Sequence, residues 1–167
     1  MLPVRRTLAM LAIAVCPAIA LAQGTNVSIG PLALDSGLPV EVTAESLSVD
    51  QDSGSAVFTG GVRVTQGAMQ LEAGEVRVEY ATADTDTGSG ISRMLASGGV
   101  TLLNGGDAAQ AQEATYDLAA AQLTMLGGVI LTQGPTTISA DRFVIDLATG
   151  AGRMEGSVRT VFQAQDY

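Results

Sequence analysis

The chain has 167 residues, 47% hydrophobic and only 4% aromatic, with one cysteine, no histidine and a net charge of −9 at pH 7. All eight of its basic residues are arginine. The composition therefore excludes imidazole bases, imidazole metal ligands and Schiff-base lysines, and seventeen acids argue against a phosphate-backbone partner.

The first predicted element is a leader over residues 1–22. Arg5 and Arg6 give it a basic start, residues 7–22 form an apolar run broken by Pro17, and Ala20-Leu21-Ala22 supplies a small-x-small cleavage pattern. The run is short for a membrane span, which needs about 20 apolar residues. A cleaved secretory signal and a periplasmic location are expected; retention as an inner-membrane anchor is the alternative. Cys16 leaves with the signal, so the mature chain is expected to hold no disulfide and no thiol. It would begin near Gln23 with 145 residues, six arginines and a net charge of −11, enough chain for one domain and enough charge to keep an apolar protein soluble. Residues 23–39 are expected to be a lead-in segment and residues 164–167 a tail.

From residue 40 onward the chain repeats itself. One phrase reads VTAESLSVD at 42–50, LEAGEVRVE at 71–79, AQAQEATYD at 109–117 and ISADRFVID at 138–146. A second reads FTGGVRVTQG at 58–67, ASGGVTLLNG at 96–105, MLGGVILTQG at 125–134 and MEGSVRTVFQ at 154–163. The anchor residues Ala44, Ala73, Ala111 and Ala140 are spaced by 29, 38 and 29 residues. The first motif glycines, Gly60, Gly98, Gly127 and Gly156, are spaced by 38, 29 and 29. Four units of about 29 residues thus share one internal spacing, and the second carries nine extra residues between Glu79 and Met94. That insertion contains the polar run ATADTDTGSG, and chain length is cheap in a surface loop.

Inside each unit the apolar period is two, the signature of strands with one buried face. In the second phrase Phe58, Gly60, Val62 and Val64 share a parity, as do Val100 and Leu102; Met125, Val129 and Leu131; and Met154, Val158 and Thr160. In the first phrase the matching positions are Leu47 and Val49; Val76 and Val78; Ala114 and Tyr116; and Phe143 and Ile145. Parity flips just after each anchor alanine, which predicts a bulge or corner that turns the strand. Mid-strand glycine is costly, and its recurrence in every unit marks a place where the sheet bends or two backbones approach closely. The predicted fold is all-β, with eight bent arms and up to 16 short antiparallel strands. Residues 106–123 have the composition of a helix, but their alignment with the other units predicts strands there too.

Chemistry is sparse. The recurrent acids Asp50, Glu79, Asp117 and Asp146 stand at strand ends and read as turn formers. DTDTG at 84–88 lacks the spacing and the closing glutamate of a calcium loop. What remains is the apolar face, which could fill a closed core or line an open groove.

The repeated units, above all FTGGVRVTQGAMQLEAGEVRVEY and ADRFVIDLATGAGRMEG, resemble the LptA/OstA-like family of periplasmic lipopolysaccharide-transport proteins over residues 40–163. The resemblance implies a twisted β-jelly roll open at both ends, with no enzymatic reaction and no cofactor. It implies an interior that shields the lipid A acyl chains of lipopolysaccharide, lined here by Leu47, Val49, Phe58, Val62, Val64, Val76, Val78, Val100, Leu102, Tyr116, Met125, Val129, Leu131, Phe143, Ile145, Met154 and Val158. It further implies edge-to-edge stacking through edge strands at Val40, Val42 and Val49 and at Val158, Thr160 and Phe162. The bridge so formed would run from an inner-membrane Lpt extraction complex to an outer-membrane Lpt translocon. This chain departs from the family in its strongly acidic balance, which offers phosphorylated headgroups no basic patch. A β-solenoid module with a solid core is the alternative from a different functional class.

Overall fold

The computed structural model describes residues 25–28, 38–81 and 90–162. The strands are β1 (Thr25–Ser28), β2 (Glu41–Thr43), β3 (Ser46–Asp50), β4 (Ser55–Gln66), β5 (Met69–Tyr80), β6 (Ile91–Ser97), β7 (Val100–Asn104), β8 (Asp107–Ala111), β9 (Glu113–Asp117), β10 (Gln122–Gln133), β11 (Thr136–Asp146), β12 (Ala151–Glu155) and β13 (Arg159–Phe162). All are antiparallel and belong to one 13-stranded sheet. The helix-like stretch at 106–123 holds β8, β9 and the start of β10, as the repeat alignment predicts. The nine-residue insertion falls between β5 and β6. The leader, the DTDTG segment and residues 163–167 lie outside the described residues.

The chain is a meander of eight long arms, each folded across its middle. β4, β5, β10 and β11 run through the fold as continuous strands, whereas the other four arms break there into β2/β3, β6/β7, β8/β9 and β12/β13. Counting each continuous strand twice turns the twelve strands from β2 to β13 into the sixteen half-strands expected. One half-sheet runs β3, β4, β5, β6, β9, β10, β11 and β12, with β1 added beyond β12. The other runs β2, β4, β5, β7, β8, β10, β11 and β13. The two halves close on each other like jaws hinged at the corner. β1 lies within the stretch expected to be only a lead-in; its pairing with β12 has no counterpart in the four-unit repeat.

The corner explains the glycines. Gly60 and Gly61 of β4 together face the single position of Gly74, because the register jumps from Thr59↔Glu75 to Val62↔Ala73. Gly127 and Gly128 of β10 do the same opposite Asp141. These are bulges, and they bend the strand at the place where parity flips. Both residues of every pair have positive φ, including Ser157 at 45° in the fourth unit. They are not equivalent, however. A Cβ on Gly127 would lie 2.8 Å from Cβ of Gln112, and one on Gly60 would lie 2.7 Å from Cβ of Glu45. A Cβ on Gly61, Gly99 or Gly128 would meet nothing within 4 Å. The first position thus requires glycine for both conformation and space, the second for conformation alone, which is why serine occupies the second slot once.

At the hairpin ends the recurrent aspartates act as turn formers. Asp50 Oδ1 accepts hydrogen bonds from the backbone N–H groups of Asp52 at 2.9 Å and Ser53 at 3.3 Å. Asp146 Oδ1 accepts from Ala148 at 2.9 Å and Thr149 at 3.0 Å, and Asp117 Oδ1 from Ala120 at 3.0 Å. Glu79 differs: it lies inside β5 and faces Arg93 across the strands at 3.8 Å. The Ser53 hydroxyl, then the backbone N–H groups of Ser53 and Asp52, hold the Asp50 carboxyl below the usual carboxylate range.

Two predictions follow from the corner and the turns. Gly127→Ala and Gly128→Ala each force alanine into a left-handed conformation, costing about 1–2 kcal/mol, but only Gly127→Ala also overlaps Gln112. Urea unfolding should show the larger loss for Gly127→Ala, and adding Gln112→Gly should recover the difference; equal losses would contradict this. A carboxyl lowered by folding stabilises the native state above its unfolded pKa and loses that contribution as pH falls through the folded value. In an NMR titration Asp50 should therefore protonate below a free aspartate, and Ser53→Ala should move its midpoint upward.

Candidate functional site: the apolar seam between the jaws

Strand alternation directs one face of every arm into the space between the half-sheets. Of the positions expected there, Val62, Val64, Val76, Val78, Val100, Leu102, Met125, Val129, Leu131, Phe143, Ile145 and Met154 are buried. Phe58 and Tyr116 are half-buried and pack against that core. Both half-sheets contribute: Met125, Phe143 and Ile145 lie on one side of the corner, Val129 and Leu131 on the other. Burying each such side chain is worth about 1.5–3 kcal/mol, so this face is the main source of stability.

Leu47, Val49 and Val158 behave differently. Leu47 pairs with Phe58 and Val49 with Ala56, so they share the inner face, yet they are 55% and 62% exposed. At the opposite end Phe162 pairs with Thr136 and is 75% exposed, and Val158 and Thr160 are exposed beside it. The inner face therefore continues to the sheet edges and emerges uncovered at both. Val40 and Val42, ahead of and within β2, are half-buried against the core. In the first half-sheet β12 is already paired with β1, so among the described residues the C-terminal edges are β1 and β13.

Between the jaws the space is narrow. Near the hairpin ends Val40, Val64, Gln66, Met69 and Leu71 of one half-sheet meet Val76, Met94, Tyr116, Leu123 and Leu147 of the other around a cavity of about 20 Å³. That is room for about one water molecule. Around this cavity the expected groove is filled by apolar side chains, and among the described residues the inner face stands exposed at Leu47, Val49 and Phe162. Met69, Leu71, Leu123 and Leu147 were not among the positions expected to line it. The first three were accessible from the same alternation, whereas Leu147 lies in a turn that alternation does not reach.

Two polar groups border this cavity. Tyr116 is pushed up from its ordinary pKa by burial, so its phenol stays protonated. Gln66 is only 5% exposed. Its Nε2 donates to the Leu38 carbonyl at 3.1 Å, while its Oε1 has no hydrogen-bond partner among the described residues.

The outer face carries ion pairs beside the exposed apolar residues Leu126, Ile130 and Val161. Arg63 and Glu72 pair directly across the strands at 2.9 Å, and Arg142 and Glu155 at 3.7 Å. These exposed pairs contribute little to stability, about 0–1 kcal/mol each. Among the described residues no cluster of three or more acidic side chains could hold a metal ion.

Comparison with known proteins agrees with this architecture. An uncharacterized protein of Rhizobium meliloti (strain 1021) is 27% identical over 140 residues, covering 81% of this chain and 75% of that protein. LptH of Pseudomonas aeruginosa, described as the LptA homologous periplasmic component of the conserved lipopolysaccharide transport device, has a similar fold. It matches with a TM-score of 0.66 at 18% identity, over 78% of this chain and 99% of LptH. Residues 41–151, well over half of the chain, match the model of the family described as LptA/(LptD N-terminal domain) LPS transport protein. The chain belongs to that lipopolysaccharide-transport family.

Proposed function

We propose that this protein works in the periplasm as a lipid-binding bridge, carrying lipopolysaccharide from the inner to the outer membrane. The acyl chains enter the seam between the jaws, and copies stack edge to edge so that successive seams join. The observation that carries this reading is the continuity of the inner face: apolar residues run along it from Leu47 and Val49 to Val158 and Phe162 and stand exposed at both ends. A monomer gains nothing from leaving such side chains in water, whereas a stack would cover them. Among the described residues, β2 and β3 at one end and β13 at the other each keep one side unpaired, which offers backbone for strand addition. The partners are then the inner-membrane Lpt extraction complex, the outer-membrane Lpt translocon and further copies of this chain.

The acyl-chain contacts are assigned to the buried inner-face residues, with Leu47, Val49 and Phe58 toward the open N-terminal end and Tyr116 in the middle of the sheet. Because the resting seam has room for about one water, binding requires the jaws to part. The outer face, where acids outnumber arginines, assigns no site to phosphorylated headgroups. One observation favours a second reading, a structural module with a solid core: the seam is already filled.

Photo-crosslinking in cells separates the two. Probes at Leu47, Val49, Val129 and Phe143 should label lipopolysaccharide, and a probe at the outward-facing Leu126 should not. Failure of every inner-face probe would leave the solid-core module. A second measurement tests the edges: Val49→Lys and Phe162→Lys should each reduce self-association in analytical ultracentrifugation while leaving the fold intact, because charge at an open edge opposes strand addition. Unchanged association would remove these strands as docking surfaces.

A further inference from the structure

Gln66 is a polar side chain in an apolar position. It ends β4 with the same parity as Val62 and Val64, and is nearly as buried as they are. The corresponding Gln133, in the same Thr-Gln-Gly context at the end of β10, is less buried and donates from Nε2 to Asp107 on the neighbouring strand at 3.0 Å. The motif is thus shared, but only Gln66 is turned into the cavity between the jaws.

The orientation of the Gln66 amide is fixed by its neighbour. The Leu38 carbonyl can only accept, so the atom 3.1 Å from it must be the amide nitrogen; turning the group over would set two acceptors against each other. Oε1 is left as a dry acceptor without a partner among the described residues, at a cavity whose remaining lining is apolar apart from Tyr116. A buried acceptor without a donor destabilises the fold. Simple solidity would favour methionine or leucine here, as at the other inner positions.

We propose that Gln66 is a specificity residue that accepts a hydrogen bond from a hydroxyl group on the bound acyl chain. The inference rests on the seam being the lipid site. With the jaws closed, Oε1 is sealed from water and unpaired among the described residues. With the jaws parted around a bound chain, a hydroxyl reaches it while the hydrocarbon lies along Val64, Met69, Leu71 and Val76. A chain without the hydroxyl leaves Oε1 unpaired in a dry site and binds less tightly.

The test is equilibrium binding of myristate and of its β-hydroxylated counterpart to the mature protein and to Gln66→Met. The wild type should prefer the hydroxylated chain by about tenfold, the worth of one hydrogen bond made in a dry site. Gln66→Met should erase that preference by weakening only the hydroxylated chain, and should raise the melting temperature. Equal affinity of the wild type for both chains would overturn the proposal, as would a preference that survives in Gln66→Met. If neither chain binds the wild type, the seam is not the lipid site and the proposal falls with it.

Discussion

Everything in this fold hangs on the corner where each arm bends. An antiparallel strand twelve residues long would otherwise run straight through, and eight of them would make an open sheet with one apolar face in water. Two left-handed residues placed opposite one partner residue break the register, shift the inward parity of the partner arm by one residue and turn the strand. Because the bulge recurs at the same height in every unit, the bends line up and the whole sheet folds as one hinge. The side chains after the anchor alanines, Glu45, Gln112 and Asp141, lean against the first glycine of the pair. In the second unit that neighbour is itself a glycine, Gly74, whose Cα would come within 3.2 Å of a Cβ on Gly98.

From that bend the rest follows. Alternation on each side of the corner sends most valine, leucine, methionine and phenylalanine inward and arginine and glutamate outward, so the jaws bury an apolar face and present a charged one on which Leu126, Ile130 and Val161 are also exposed. Repetition along the meander makes this face a continuous strip rather than a central core. A strip has ends, and here both are bare: Leu47 and Val49 at one, Phe162 at the other. β1 partly covers one end by pairing with β12, a feature that lies outside the repeat altogether.

Much of this was legible in the sequence because a repeat compares the chain with itself. The spacing of Ala44, Ala73, Ala111 and Ala140 against the glycines located the arms, the corners and the inserted loop, and overrode the helical composition of 106–123. Period two selected Val62, Val129 and Phe143 as inner residues. It could not show that Leu47 and Val49 are exposed, since parity gives the face a side chain points to and not whether another strand covers it. Nor could it show the width of the seam, which depends on how closely two half-sheets approach. β1 was missed because four residues with no partner in the repeat carry no periodic signal. Gln66 was visible in principle, as a polar residue at an inner parity, but the same parity holds Gln133, and only packing tells the two apart.

Whether the jaws part to admit lipid can be measured directly. The mature chain is expected to lack cysteine, so spin labels can be attached at Ala68→Cys and Ala119→Cys, exposed positions in turns at the free ends of the two half-sheets. Pulsed electron-spin distance measurements with and without lipopolysaccharide would then report the gap between the jaws. A distance that lengthens when lipid binds and returns when it is removed is the predicted result. Bound lipopolysaccharide with an unchanged distance would mean that the chains never enter the seam.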